Sequence, residues 1–220
     1  CAMELPWNIA DIPFMALSAD EVLPLGGGEA FVWYRRFLQL IAWQTQGTDA
    51  DDKEWMLKCP FHLPYLSELH TEFPHSTVVW THRTPVDCIG SACSLYETLL
   101  PYTANSWTCD KHQLGAAVLR LTELSLKMAF ESIKKNKNLK VVHVRYRETT
   151  GDTINTIRRI CKSTGLAFTS IYEKRIEDYV NSSKEKRARQ GKGKGKGMLH
   201  SYKLEDYGLS KEKVENTFAD

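Results

Sequence analysis

Between Trp55 and Leu95 the chain reads WMLKCPFHLPYLSELHTEFPHSTVVWTHRTPVDCIGSACSL, two successive units of strand, loop and helix. Trp55-Met56-Leu57 is a short apolar run that stops at Lys58, and Pro60 and Pro64 punctuate the loop behind it. Leu63, Leu66, Leu69 and Phe73 then recur at helical spacing until Pro74 closes the helix. Thr77-Val78-Val79-Trp80 is β-branched and aromatic, the composition of a buried parallel strand. Thr84 suits the N-cap of a second helix and Pro85 its first position. Alternation of this kind predicts a three-layer α/β domain, a parallel sheet flanked by helices. Lys58 and His62 follow the first strand, and His82 and Arg83 end the second. The carboxyl ends of parallel strands form the ligand crevice of an open sheet. A crevice with that lining is built for anions.

The rest of the chain extends the alternation. Residues 1–29, broken by Pro6, Pro13, Pro24 and Gly26-Gly27-Gly28, read as irregular, and the triple glycine is no phosphate loop because no Lys-Ser/Thr follows it. Phe31, Tyr34, Phe37, Leu38, Ile41 and Ala42 give a helical face over residues 30–46, ended by Gly47. A helix from Pro85 to about Leu100 precedes a loop over 103–109. Residues 111–134 form a long helix with Leu114, Ala117, Val118, Leu121, Leu124 and Met128 on its apolar face. Val141–Val144 reads as a third strand, so strands are expected near 54–58, 76–82 and 140–145, parallel and adjacent. Helices follow over 153–161 and about 169–180, and a last one begins near Ser210. Residues 184–197 carry seven cations and one acid among regularly spaced glycines, and 184–198 are read as a basic loop.

A chain of 220 residues accommodates a single domain over 1–220. A net charge of +2 gives no argument for nucleic acid as a partner. No apolar run approaches the length of a membrane span. The six cysteines and seven histidines show no CxxC, HxxxH or HExxH spacing, so no metal site is expected, and the thiols read as reduced, as in the cytoplasm.

WMLKCPFHL, FPHSTVVWTHRTP and Ser91 together resemble the core of the sulfotransferases that use 3′-phosphoadenosine 5′-phosphosulfate (PAPS), in the branch with Lys-x-Pro-x-His-Leu. The resemblance implies a P-loop-NTPase-like sulfotransferase fold. It implies that Arg83 and Ser91 hold the nucleotide 3′-phosphate, that His62 is the base for the acceptor hydroxyl, and that Lys58 stabilises the bridging oxygen. VRYRETTGD is similar to the family's Arg-Tyr-Glu-Asp segment, which would make Tyr146 a nucleotide contact. HSYKLEDYGLS, residues 200–210, is similar to a C-terminal family segment preceded by a basic closure over the 3′-phosphate. Arg189, Gly191 and Lys192 are the candidates for that closure.

The implied donor is PAPS, and the implied partner is a small-molecule or glycan hydroxyl acceptor, with protein partners or a homodimer also open. The chain departs from the pattern at Thr84, where the family has Asp, at Arg147, where it has an acid, and above all in one absence. The family's N-terminal phosphosulfate loop, Pro-Lys/Arg-Ser-Gly-Thr-Thr, has no counterpart in these residues, and Cys1 opens the chain in mid-pattern. The expectation is therefore a sulfotransferase domain without its first βα unit. The alternative is a catalytically silent sulfotransferase-like subunit with a structural role. That loop's amides and helix N-terminus cradle the phosphosulfate, and loss of one such donor already costs about 10²–10³ in rate. Residues 1–220 are thus expected to bind adenosine 3′,5′-bisphosphate without transferring label from PAPS to phenols, sterols or sugars. Turnover by this chain would refute the expectation.

Overall fold

The computed structural model describes residues 27–45, 54–103, 110–193 and 202–219. Helix α1 (Gly28–Thr45) comes first, and a 3-10 helix (Pro60–Tyr65) runs into α2 (Leu66–Glu72). Strand β1 (Thr77–His82) is followed by α3 (Pro85–Thr103), α4 (Lys111–Lys135) and β2 (Lys140–Arg145). Then come α5 (Tyr146–Gly151), α6 (Thr153–Thr164), α7 (Ser170–Gly193), a 3-10 helix (Leu204–Tyr207) and α8 (Lys211–Thr217). The fold is α/β. Strands β1 and β2 are parallel and in continuous register from Thr77 opposite Lys140 to His82 opposite Arg145.

Helix α4 organises the interior, because its apolar residues face three neighbours. Leu114, Val118 and Leu119 pack with Ile89 and Cys93 of α3 and with Leu204, Tyr207, Leu209 and Val214 from the C-terminal segment. Ala129, Leu126 and Ile133 cover the sheet face carrying Trp80 and Val78. Leu121, Leu124 and Met128 back Phe31 of α1 and Tyr65. The helix starts where Asp110 accepts a 2.7 Å bond from the His112 amide, as an N-cap does. Beyond its end, the Asn136 side-chain amide donates to Ser67 Oγ and to the Ser132 carbonyl, both at 2.8 Å.

Two expectations fail. No strand forms over 54–58: residues 54–59 have no regular structure, and Trp55, Met56 and Leu57 are 51%, 78% and 40% exposed. A strand needs a ladder for its backbone groups. Among the described residues β1 and β2 pair only with each other, so the apolar run has nothing to pair with. The basic loop of 184–198 is the second case. Helix α7 continues to Gly193, because Lys184 to Gln190 is made of good helix formers and the glycines begin only at 191. Residues 194–198 lie outside the described residues.

The C-terminal segment is clamped onto α3 and α4. The Tyr207 hydroxyl donates to Glu97 Oε2 at 2.6 Å, and Lys111 Nζ lies 2.6 Å from the other oxygen of that carboxylate. These bonds, from Lys111 and then Tyr207, hold the Glu97 carboxyl below its ordinary value. Burial, reinforced by the Glu97 charge, pushes the Tyr207 phenol well up. Gly115 makes the close approach possible, since a Cβ there would stand 2.1 Å from the Tyr207 carbonyl oxygen. We expect Gly115→Ala to lower stability by about 1–3 kcal/mol, the cost of overpacking. Gly151→Ala, where an added Cβ meets nothing within 4 Å, should stay within about 0.5 kcal/mol. Urea midpoints measure both, and equal midpoints would contradict the clamp.

Candidate functional site

The strand register builds the site. His82 and Arg145 are the last paired residues of β1 and β2, so Arg83 and Tyr146 leave the sheet side by side. The Arg83 guanidinium carbon lies 5.0 Å from the centre of the Tyr146 ring, a cation–π seat. Arg83 Nε also meets Asp87 Oδ2 at 3.4 Å, one turn into α3, with the arginine side chain still 38% exposed. Burial works against the guanidinium charge, but Asp87, Tyr202 and Tyr146 outweigh it and raise its pKa. Thr84 Oγ1 accepts from the Asp87 amide at 3.3 Å and closes the start of α3. The result is an open cationic group beside the N-terminus of a 19-residue helix, where the helix dipole favours an anion. Ser91 is exposed two turns into the same helix.

Below Arg83 sits a feature that no sequence motif announced. His82 Nε2 and His143 Nδ1 share a 2.7 Å hydrogen bond. Trp80 stacks on His82 with ring centres 4.8 Å apart. Burial and then the neighbouring imidazole push the His82 pKa down. Only strand register brings residues 82 and 143 together, so nothing local in the sequence could reveal the pair.

Glu148 was also missed. Its carboxylate accepts from the Arg145 amide at 3.1 Å and pairs with Arg159 Nη2 at 2.7 Å. It thereby fixes the turn from β2 into α5, which carries Tyr146. A glutamate three residues after a strand end is the sequence signal that could have flagged it.

Lys58 and His62 stand elsewhere. Lys58 is exposed in the irregular segment before the 3-10 helix. His62 is part-buried against Phe31 and Tyr34 of α1, with ring centres 5.2 and 5.5 Å away. Its Nε2 is buried and has no hydrogen-bond partner. Burial pushes the His62 pKa down, so the ring is neutral near pH 7. Among the described residues no hydrogen bond, ion pair or ring contact joins Lys58 or His62 to Arg83, Ser91 or Tyr146. The backbone of Arg189, Gly191 and Lys192 belongs to the last turns of α7. Groups of three or more side chains able to hold a metal do not occur among the described residues.

The sequence matches the sulfotransferase family over residues 4–170. The chain belongs to that family. Solved structures agree with the assignment at the level of fold. A sulfotransferase from Mycobacterium avium is similar with a TM-score of 0.74 at 21% identity, covering 98% of this chain and 51% of that one. A sulfotransferase from Mycobacterium tuberculosis is similar with a TM-score of 0.65 at 27% identity, covering 91% of this chain and 47% of that one. The chain spans about half the length of the solved sulfotransferases it matches. No curated protein matches it. Among the described residues, no helix of this chain is long and apolar enough to cross a membrane.

The depressed His62 and His82 pKa values carry a pH signature. Below the ordinary histidine value of about 6.5, the unfolded chain takes up protons that these rings refuse in the folded state. Stability therefore falls as pH drops from about 6.5 toward the lower folded values. His62→Phe, which keeps an aromatic ring beside Phe31 and Tyr34, should reduce the loss of urea midpoint between pH 7.5 and 5. An unchanged loss would contradict the burial of a neutral imidazole.

Proposed function

We propose that this chain takes part in moving a sulfuryl group from PAPS to the hydroxyl of a small-molecule or glycan acceptor. One observation carries the reading: an exposed guanidinium, seated on the Tyr146 ring, stands at the strand ends beside a helix N-terminus. Such a group grips a phosphate through two parallel hydrogen bonds. The Nε edge of Arg83 faces Asp87, so its terminal amino groups are the ones left to bind. In this reading Arg83 and Ser91 hold the 3′-phosphate, and Tyr146 borders the nucleotide. Arg189, Gly191 and Lys192 would close over the same phosphate.

When bound, PAPS supplies the electrophilic sulfur. The chain's contribution to the proton is His62. Its imidazole is neutral near pH 7 and its Nε2 has no hydrogen-bond partner. That atom is buried against α1 and has to be uncovered before an acceptor hydroxyl can reach it. Proton transfer of this kind contributes about 10²–10⁴-fold. Lys58 is the cation assigned to the leaving side. We read residues 1–220 as one sulfotransferase-like domain. We read the cysteines as reduced thiols of a cytoplasm-like setting.

Calorimetric titration tests the nucleotide assignment. The chain should bind adenosine 3′,5′-bisphosphate at least about tenfold more tightly than adenosine 5′-monophosphate. Arg83→Ala should remove about 1.5–3 kcal/mol of that affinity, the scale of a charge-assisted bond, and leave folding unchanged. Equal affinity for the two nucleotides would reject the reading.

A further inference from the structure

Tyr202 reaches the crevice from the far end of the chain. Its ring lies against α3 at Gly90, where a Cβ would stand 2.6 Å from Cε2 and 2.7 Å from Cδ2. Gly90 is inside a helix, where glycine costs about 1 kcal/mol relative to alanine. No left-handed backbone angle calls for it, since the positive-φ glycines are Gly165 and Gly208. The ring is what the glycine accommodates.

The hydroxyl end of the ring points toward the start of α3. It donates to the Asp87 carbonyl at 3.4 Å, well beyond the usual O–H···O distance of about 2.7–2.8 Å. That proton is loosely held and can be redirected. The phenol also lies within electrostatic reach of the Arg83 guanidinium. Behind it the chain is fixed: Leu204 and Tyr207 are buried in the α3–α4 core, and Tyr207 bonds Glu97. The hydroxyl is therefore presented by a rigid support, with its ring wedged on Gly90.

We infer that Tyr202 is a further anion-binding residue of the crevice, its hydroxyl donating to the same phosphate monoester that Arg83 grips. The inference rests on the phosphate reading of Arg83 and adds a second donor near the start of α3. Binding the phosphate asks only for a change of hydrogen-bond partner at the hydroxyl, away from the Asp87 carbonyl, while the ring stays on Gly90.

The test uses residues 1–220 and adenosine 3′,5′-bisphosphate, with adenosine as the phosphate-free control. Tyr202→Phe keeps the ring and removes the hydroxyl, so its urea midpoint should match the parent. It should bind the bisphosphate at least about tenfold more weakly, the scale of a hydrogen bond to a charged group, and bind adenosine unchanged. Gly90→Ala displaces the ring and should weaken the bisphosphate similarly, with no further loss when combined with Tyr202→Phe. Parent affinity in Tyr202→Phe, with Arg83→Ala weakened, would overturn the role of Tyr202 alone. Parent affinity in both Arg83→Ala and Tyr202→Phe would overturn the phosphate reading as well. Equal losses for adenosine and the bisphosphate in Tyr202→Phe would overturn the role of Tyr202, by showing a packing effect.

Discussion

The burial of one helix supports everything else in this structure. Helix α4 gives apolar side chains to three clusters, facing the C-terminal segment, the sheet and α1 in turn. A helix apolar on several sides must be enclosed, and each enclosing element carries part of the candidate site. Through Trp80 and Leu139 it sets the sheet. Through Phe31 and Tyr65 it sets the wall against which His62 packs. Through Leu204 and Tyr207 it holds the segment that delivers Tyr202. Losing a large side chain such as Leu114 or Val118 would loosen anion site and core together, because the same packing holds both.

The sheet adds a second constraint, register. A parallel pair aligned from Thr77–Lys140 to His82–Arg145 places residues 83 and 146 together without any direct contact being needed to recruit them. The cation–π seat follows, and Glu148 then secures the turn after β2 by bonding both the Arg145 amide and Arg159. A one-residue slip would turn the side chains of β2 to the other face and shift the start of α5, separating Tyr146 from Arg83. The phosphate reading thus depends on a backbone alignment as well as on the Arg83 side chain.

Much of this was legible in the sequence. The β-branched run at 77–80, the Thr84-Pro85 helix start and the periodic face from Leu114 to Met128 each became the expected element, because local propensity and burial agree there. Arg83 and Tyr146 were readable as strand-end neighbours. Trp55–Lys58 was misread because a strand is a property of its partner as much as of its own residues. The tract after Lys184 was misread because its glycines outweighed the helix formers ahead of them. The His82–His143 bond and the Tyr202–Gly90 contact join residues 61 and 112 positions apart, and periodicity does not carry information over such separations. Fold class and family came from consecutive residues, whereas the finer lining of the crevice came from tertiary contacts.

The most direct measurement is a crystal structure of this chain with adenosine 3′,5′-bisphosphate. The account predicts the 3′-phosphate within hydrogen-bond distance, about 2.7–3.2 Å, of the terminal nitrogens of Arg83, with the Tyr146 ring still beneath the guanidinium. A bisphosphate bound elsewhere, with Arg83 still turned only toward Asp87, would contradict it.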